Sequence, residues 1–165
     1  MTGPPENGRV ILDSGGVSAL AEGNTTARAV VMRARREGRL LVIPAPVLTE
    51  VYTGRRDHAH IDRVINQIDQ MIETTPERAK EAGVLRAKSG VLDIVDAIVV
   101  AEAVAALPVV ILTSDPDDIG ALVDAAGARD RVTIIGVLPL PGRLRGLHSS
   151  LPPRKLLASK LLDSI

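Results

Sequence analysis

The chain of 165 residues contains no cysteine, no tryptophan and no phenylalanine, and Tyr52 is its single tyrosine. Without cysteine there is neither a disulfide framework nor a thiolate metal site, and a reducing cytoplasm is the simplest expected setting. Without aromatics there is no platform on which unpaired bases could stack, and the core must be built from Val, Leu, Ile and Ala. Net charge is lacking as well. The 20 basic and 20 acidic residues cancel, so the chain as a whole does not advertise nucleic-acid binding. Long apolar runs are also missing: the longest, 94–112, is interrupted by Asp96, Glu102 and Pro108, and no membrane span or membrane partner is expected. The opening MTGPPENG has no basic or apolar segment of the signal-peptide kind. Neither a P-loop nor a G-x-G-x-x-G fingerprint occurs.

What is present is 45% apolar residues, arranged in short buried runs separated by helix-like stretches. Residues 9–12, 40–43, 109–112 and 132–137 read as strands. Helices are expected over 17–21, 25–36, 45–54 with Pro46 at its start, and 76–88. A further helix is expected over 57–71, with Ile61, Val64, Ile65, Ile68 and Ile72 as its buried stripe. Asp93 reads as the cap of a helix over 94–106, and Gly127 closes one over 117–126. Residues 14–16 read as a turn. Alternating strands and helices predict an α/β fold, a three-layer α/β/α sandwich around a mainly parallel sheet of four to five strands. Residues 1–8 are expected to be a flexible N-terminus, 9–137 the folded domain, and 138–165 an extension with an amphipathic helix over 154–162. That extension carries five basic residues and one acid, a net +4, which leaves the remainder at −4. Such a tail suits a phosphate or a partner, or an ordinary solvated extension.

Acids stand where these strands end. In an open parallel sheet, ligands bind at the carboxyl ends of the strands. Asp13 closes the first strand and Asp115 the third; Glu50 lies one turn into the helix after the second, and Asp96 in the first turn of an Ala- and Val-rich helix. They are separated by 37, 46 and 19 residues, so only a folded sheet brings them together. Two carboxylates about 4 Å apart repel by roughly 4 kcal/mol at an effective dielectric near 20. A converged set must keep a proton or bind a cation, and an all-oxygen set suits Mg²⁺, with Mn²⁺ as substitute.

Four segments, VILDSGGVSAL, IPAPVLTEVYTG, DIVDAIVVAEA and VVILTSDPDDI, occur in an order and spacing that resembles the PIN-domain nucleases, in particular the VapC-like toxins of toxin–antitoxin pairs. The resemblance covers about residues 9–137. It implies that Asp13, Glu50, Asp96 and Asp115 form a catalytic metal-binding cluster, with Asp117 a secondary ligand. It also implies Mg²⁺-dependent endonucleolytic cleavage of RNA, a homodimer, and silencing by a small antitoxin protein. Ser114 falls where a Ser or Thr orients a carboxylate or phosphate; Ser14, Arg55 and Arg56 are further candidate substrate contacts, the arginine pair reading first as a solvated loop and second as a contact to RNA phosphate. Asp93 competes with Asp96 for the third position, and the small-residue face of Ala97, Ala101 and Ala103 favours Asp96. Gly15-Gly16 and the tail depart from the family pattern. The alternative is a catalytically inactive binding module on the same fold. Phosphotransfer readings fail: a nucleophilic-Asp phosphatase needs a second Asp where Gly15 stands, and the acidic pair of a receiver domain is missing.

Overall fold

Each buried run of Val, Leu and Ile forms a strand, and a helix follows each of the first four to cover the sheet. In a computed structural model of the protein, which describes residues 8–54 and 58–138, the order begins β1 (Arg9–Leu12), α1 (Ser14–Ala21), α2 (Thr25–Arg36) and β2 (Leu40–Pro44). A 3₁₀ turn (Ala45–Val47), α3 (Leu48–Val51), α4 (Ala59–Ile65), β3 (Gln70–Ile72) and α5 (Pro76–Ser89) follow. The chain continues with α6 (Ile94–Val104), β4 (Val109–Thr113), α7 (Pro116–Ala125) and β5 (Val132–Gly136). The five strands form one wholly parallel sheet in the order β3-β2-β1-β4-β5. Helices α1 to α4 associate with one another and α5 to α7 with one another, giving the α/β/α layers. Ile11, Leu12, Leu41, Ile43, Ile111 and Leu112 are fully buried between them, as strands covered on both faces must be.

The strand order creates a switch point. From β1 the chain moves outward to β2 and β3, then returns to β4 on the other side of β1. Neighbours β1 and β4 run in register, Leu12 beside Leu112, and their following helices α1 and α7 enter opposite layers at the carboxyl edge, the place where open parallel sheets bind ligands.

Three expectations need correction. The helix expected over 57–71 ends at Ile65, and its last residues form β3, the fifth strand. The cause is Asp69. Its carboxylate takes both Arg35 Nη1 contacts, at 2.6 and 2.7 Å, and the Leu41 amide at 2.8 Å, while its own amide donates to the Leu41 carbonyl. These bonds hold the chain against β2 and draw it out of the helix; Ile68 and Ile72 still pack on the core. The helix expected over 45–54 is a 3₁₀ turn followed by one α-turn, because Tyr52 is extended and its hydroxyl donates to Asp62 at 2.5 Å. Residues 14–16 are not a turn: α1 starts directly at Ser14, capped by Asp13. The expected helix over 154–162 and the N-terminal segment lie outside the described residues.

Candidate active site

The carboxyl edge of the sheet is a meeting of helix starts. Asp13 caps α1, accepting from the Gly16 amide at 2.6 Å. Asp93 caps α6 through the Asp96 amide at 3.0 Å, and Asp115 caps α7 through the Asp118 amide at 3.3 Å. Three apolar helices thus begin at one edge, each with an aspartate that satisfies an orphan amide and favours the positive end of the helix dipole. Asp13 is 3% exposed and its amide donates to the Leu112 carbonyl at 3.2 Å, which stitches the end of β1 to β4.

Asp96 is the centre of this arrangement. It is half-buried in the first turn of α6, and its carboxyl is pushed up to about 8 by burial first, then by the charges of Asp93, Asp13, Glu50 and Asp115. Three of the acids picked out in the sequence, drawn from three other elements, therefore act on the fourth, Asp96. Glu50 does so from an exposed position on α3, not from an apolar face. Asp117 is exposed in the first turn of α7 and acts on its neighbour Asp118 rather than on Asp96.

Two acids belong to the set that the strand-end argument passed over. Asp93 is the second-largest influence on Asp96. Asp118 is half-buried and its carboxyl is raised by burial, then by Asp115, Asp93 and Asp117. The signal was present in the doublet Asp117-Asp118: in a helix starting at Pro116, adjacent residues point about 100° apart, so the two acids cannot share one environment.

The glycine pair that departs from the family pattern has a packing reason. A Cβ on Gly15 would lie 2.0 Å from Ser114 Oγ and 2.7 Å from its backbone nitrogen; one on Gly16 would lie 2.4 Å from the Leu112 carbonyl. Helix α1 therefore starts in direct contact with the end of β4, which holds Asp13 and Ser114 side by side. Ser114 is half-buried there, and Ser14 opens α1 half-buried. The Thr113 hydroxyl accepts from the Asp115 amide at 2.8 Å and orients the turn into α7. Arg55 and Arg56 lie outside the described residues.

The donor set is all oxygen, which suits Mg²⁺ or Mn²⁺. Among the described residues, no Lys or Arg forms an ion pair with Glu50, Asp96 or Asp115, so the repulsion at Asp96 is relieved by a proton or by a cation. As placed, no three His, Asp or Glu side chains among the described residues are arranged to hold a metal ion. The carboxylates are gathered around Asp96 without being closed into a cage.

The fold is α/β/α and PIN-like. No family model and no curated protein matches the chain; solved structures do. One is a chain of a toxin–antitoxin complex from Klebsiella pneumoniae, with a TM-score of 0.52 and 19% identity, over 66% of this chain and 88% of that one. DNA-bound VapBC from Salmonella typhimurium matches at 0.52 and 13% identity, over 78% and 97%. VapBC2 from Rickettsia felis, bound to a promoter DNA fragment, matches at 0.52 and 10%, over 78% and 98%. The expected likeness to VapC-like proteins is thus present in the fold. Among the described residues no helix is long and apolar enough to cross a membrane.

Proposed function

We propose that the protein is a Mg²⁺-dependent endoribonuclease, a toxin acting as a homodimer and held silent by a small antitoxin protein. The observation that carries this reading is the convergence on Asp96 of Asp13, Glu50 and Asp115 at the switch point of the sheet. The toxin–antitoxin and VapBC assemblies that share the fold support a protein partner.

Asp13, Glu50, Asp96 and Asp115 would hold the ion, with Asp117 and Asp118 at the rim. Mg²⁺, or Mn²⁺ in its place, supplies charge neutralisation and an acidified water for phosphodiester hydrolysis when bound. The chain's own part is preorganisation. The Gly16 and Asp118 amides fix the Asp13 and Asp115 carboxylates in direction. Burial and the surrounding acids push Asp96 toward its protonated form in the metal-free protein. Ser14 and Ser114 stand at the carboxyl edge as contacts for a phosphate or a carboxylate, and Arg55 and Arg56 are proposed as phosphate contacts.

The test is to map RNA 5′ ends after brief expression in bacteria, wild type against Asp96→Asn. New ends at one or a few sites, absent in the variant, are expected. Metal-dependent cutting that survives in a folded Asp96→Asn protein would sink the assignment. A second reading, a catalytically inactive binding module, is favoured by the open arrangement of the carboxylates. It predicts a stable partner complex and no cleavage with either Mg²⁺ or Mn²⁺.

A further inference from the structure

We infer that Tyr52 and His58 form a small stacking platform for one unpaired base of a single-stranded RNA, beside the acids at the carboxyl edge. The inference deepens the ribonuclease reading above and rests on it for its ligand. Composition alone predicts no such platform, since Tyr52 is the single tyrosine and tryptophan and phenylalanine are absent. The structure supplies the second ring from a histidine. The Tyr52 and His58 ring centroids lie 5.1 Å apart, tilted by 48°, the spacing of a packed aromatic pair.

Both rings are fixed through their polar atoms. The Tyr52 hydroxyl donates to Asp62 Oδ1 at 2.5 Å, which ties the ring to α4. The Thr53 amide donates to His58 Nε2 at 3.2 Å; an accepting nitrogen carries no proton, so this imidazole is neutral. Tyr52 is extended at the end of α3 and stays 37% exposed. A ring that is pinned yet open to solvent loses little freedom when a base packs on it. Its position joins it to the candidate site. Glu50 precedes Tyr52 by two residues. The chain comes to α3 from the carboxyl end of β2 through the 3₁₀ turn; that turn packs against α6, and α3 packs against α1. These are the helices that Asp93 and Asp13 cap. Tyr52 therefore stands at the same edge as the candidate metal ligands, on the β2 side. An RNA phosphate held there by a divalent cation carries its bases past this edge, where a fixed ring can hold one. Stacking accepts any base, because each has a π-face, and it needs no cationic side chain at an edge built of acids.

The single tyrosine of a chain without tryptophan is also its one intrinsic fluorophore of use, so stacking on it can be read directly. Tyrosine emission of the full chain is titrated, with Ca²⁺ in place of Mg²⁺ to hold back turnover, against a single-stranded RNA of about 12 nucleotides and against inorganic polyphosphate of equal charge. The RNA is expected to quench most of the emission and the polyphosphate to leave it unchanged. Equal quenching by both, or none by the RNA, would overturn the platform. Affinity for a labelled copy of the RNA is then compared for Tyr52→Phe and Tyr52→Leu. Both variants lose the bond to Asp62, so the difference between them reports the ring alone. Tyr52→Phe should bind within about threefold of wild type and Tyr52→Leu about five- to a hundredfold more weakly, the range for one stacked base. His58→Leu, which removes the second ring, should fall between them. Equal affinity of Tyr52→Phe and Tyr52→Leu would reduce Tyr52 to a structural tie and overturn the platform. Ring-dependent RNA binding by a wild-type protein that cuts nothing with Mg²⁺ or Mn²⁺ would leave the platform standing and remove the ribonuclease reading. Cleavage by Tyr52→Leu equal to wild type at every RNA concentration would do the opposite.

Discussion

Asp96 and Glu102 lie on the same helix, α6, about 9 Å apart along its axis, among residues that are otherwise almost all apolar. Burial raises both carboxyls. Their company differs. Among the described residues, the charges that act on Asp96 are all acids. Glu102, 7% exposed, has Arg78 Nε at 3.5 Å and feels Arg9 from the start of β1, with Glu81 as the opposing acid. A buried carboxylate is tolerated when a cation pairs with it, and the fold supplies one near the amino-terminal ends of the strands. At the carboxyl ends, the same helix presents an acid to four more acids. The chain gives Glu102 a cation and, among the described residues, gives Asp96 none; the contrast supports the ligand-binding role proposed for that edge.

The largest expected effect tests that contrast directly. Asp96→Asn should lower Mg²⁺-dependent RNA cleavage by at least about 100-fold while the melting temperature of the metal-free protein stays level or rises, since a repelled carboxylate is removed. Glu102→Ala should do the reverse. It removes the carboxylate that Arg9 and Arg78 face and should destabilise by about 2 kcal/mol in urea unfolding, below the usual loss for a broken buried pair, because Arg78 keeps Glu81 as a partner and its side chain is 25% exposed. Cleavage per folded molecule should be unchanged. If the two variants exchanged phenotypes, the division between a functional and a structural acid on α6 would be wrong.

Much of this was legible in the sequence for a plain reason. Strands buried on both faces are continuous apolar runs, so β1, β2, β4 and β5 stand out, and the acids that follow them fall at one edge of any parallel sheet. Helix α2 could be read over Thr25–Arg36 because Ala27, Val30, Val31 and Ala34 fall at helical spacing and Gly38 follows it; its cap, Asn24, could not. What could not be read depends on tertiary partners. Strand β3 has a helical apolar period and becomes a strand only because Asp69 is held by Arg35 and Leu41. Asp118 joins the acid cluster through the direction in which α7 starts, and Gly15 is required by Ser114, a residue 99 positions away. Local pattern contains none of these facts.

The contact between α1 and β4 can be broken by one carbon. Gly15→Ala places a Cβ against Ser114, backbone nitrogen included, and should cost about 1–3 kcal/mol as overpacking. Because Asp13 and Asp115 flank that contact, cleavage should fall as well, and by more than stability explains. Gly83→Ala is the matched control: it lies within α5 with open space around it and should stabilise by up to about 1 kcal/mol. Equal melting temperatures for the two variants would show that the α1 start is looser than the packing implies.

The effect most diagnostic of Asp96 is a dependence of stability on pH. Below its ordinary value of 3.8 the group is protonated whether the chain is folded or not, and above about 8 it is charged in both states. Between those limits the folded protein keeps a proton that the unfolded chain has released. Folding therefore takes up a proton, and stability falls as pH rises through that window. Glu102 and Asp118, also raised, act in the same direction. The metal-free protein should lose melting temperature from about pH 5 to pH 8, at about 2–4 °C for each kcal/mol in a chain of this size. Asp96→Asn should flatten the larger part of that slope and leave the part owed to Glu102 and Asp118. Added Mg²⁺ should raise the wild-type midpoint more at pH 8 than at pH 5, since a cation stabilises the charged carboxylates. An Asp96→Asn protein whose melting curve follows pH as wild type does would place the repulsion elsewhere in the cluster, with Asp118 the next residue to replace.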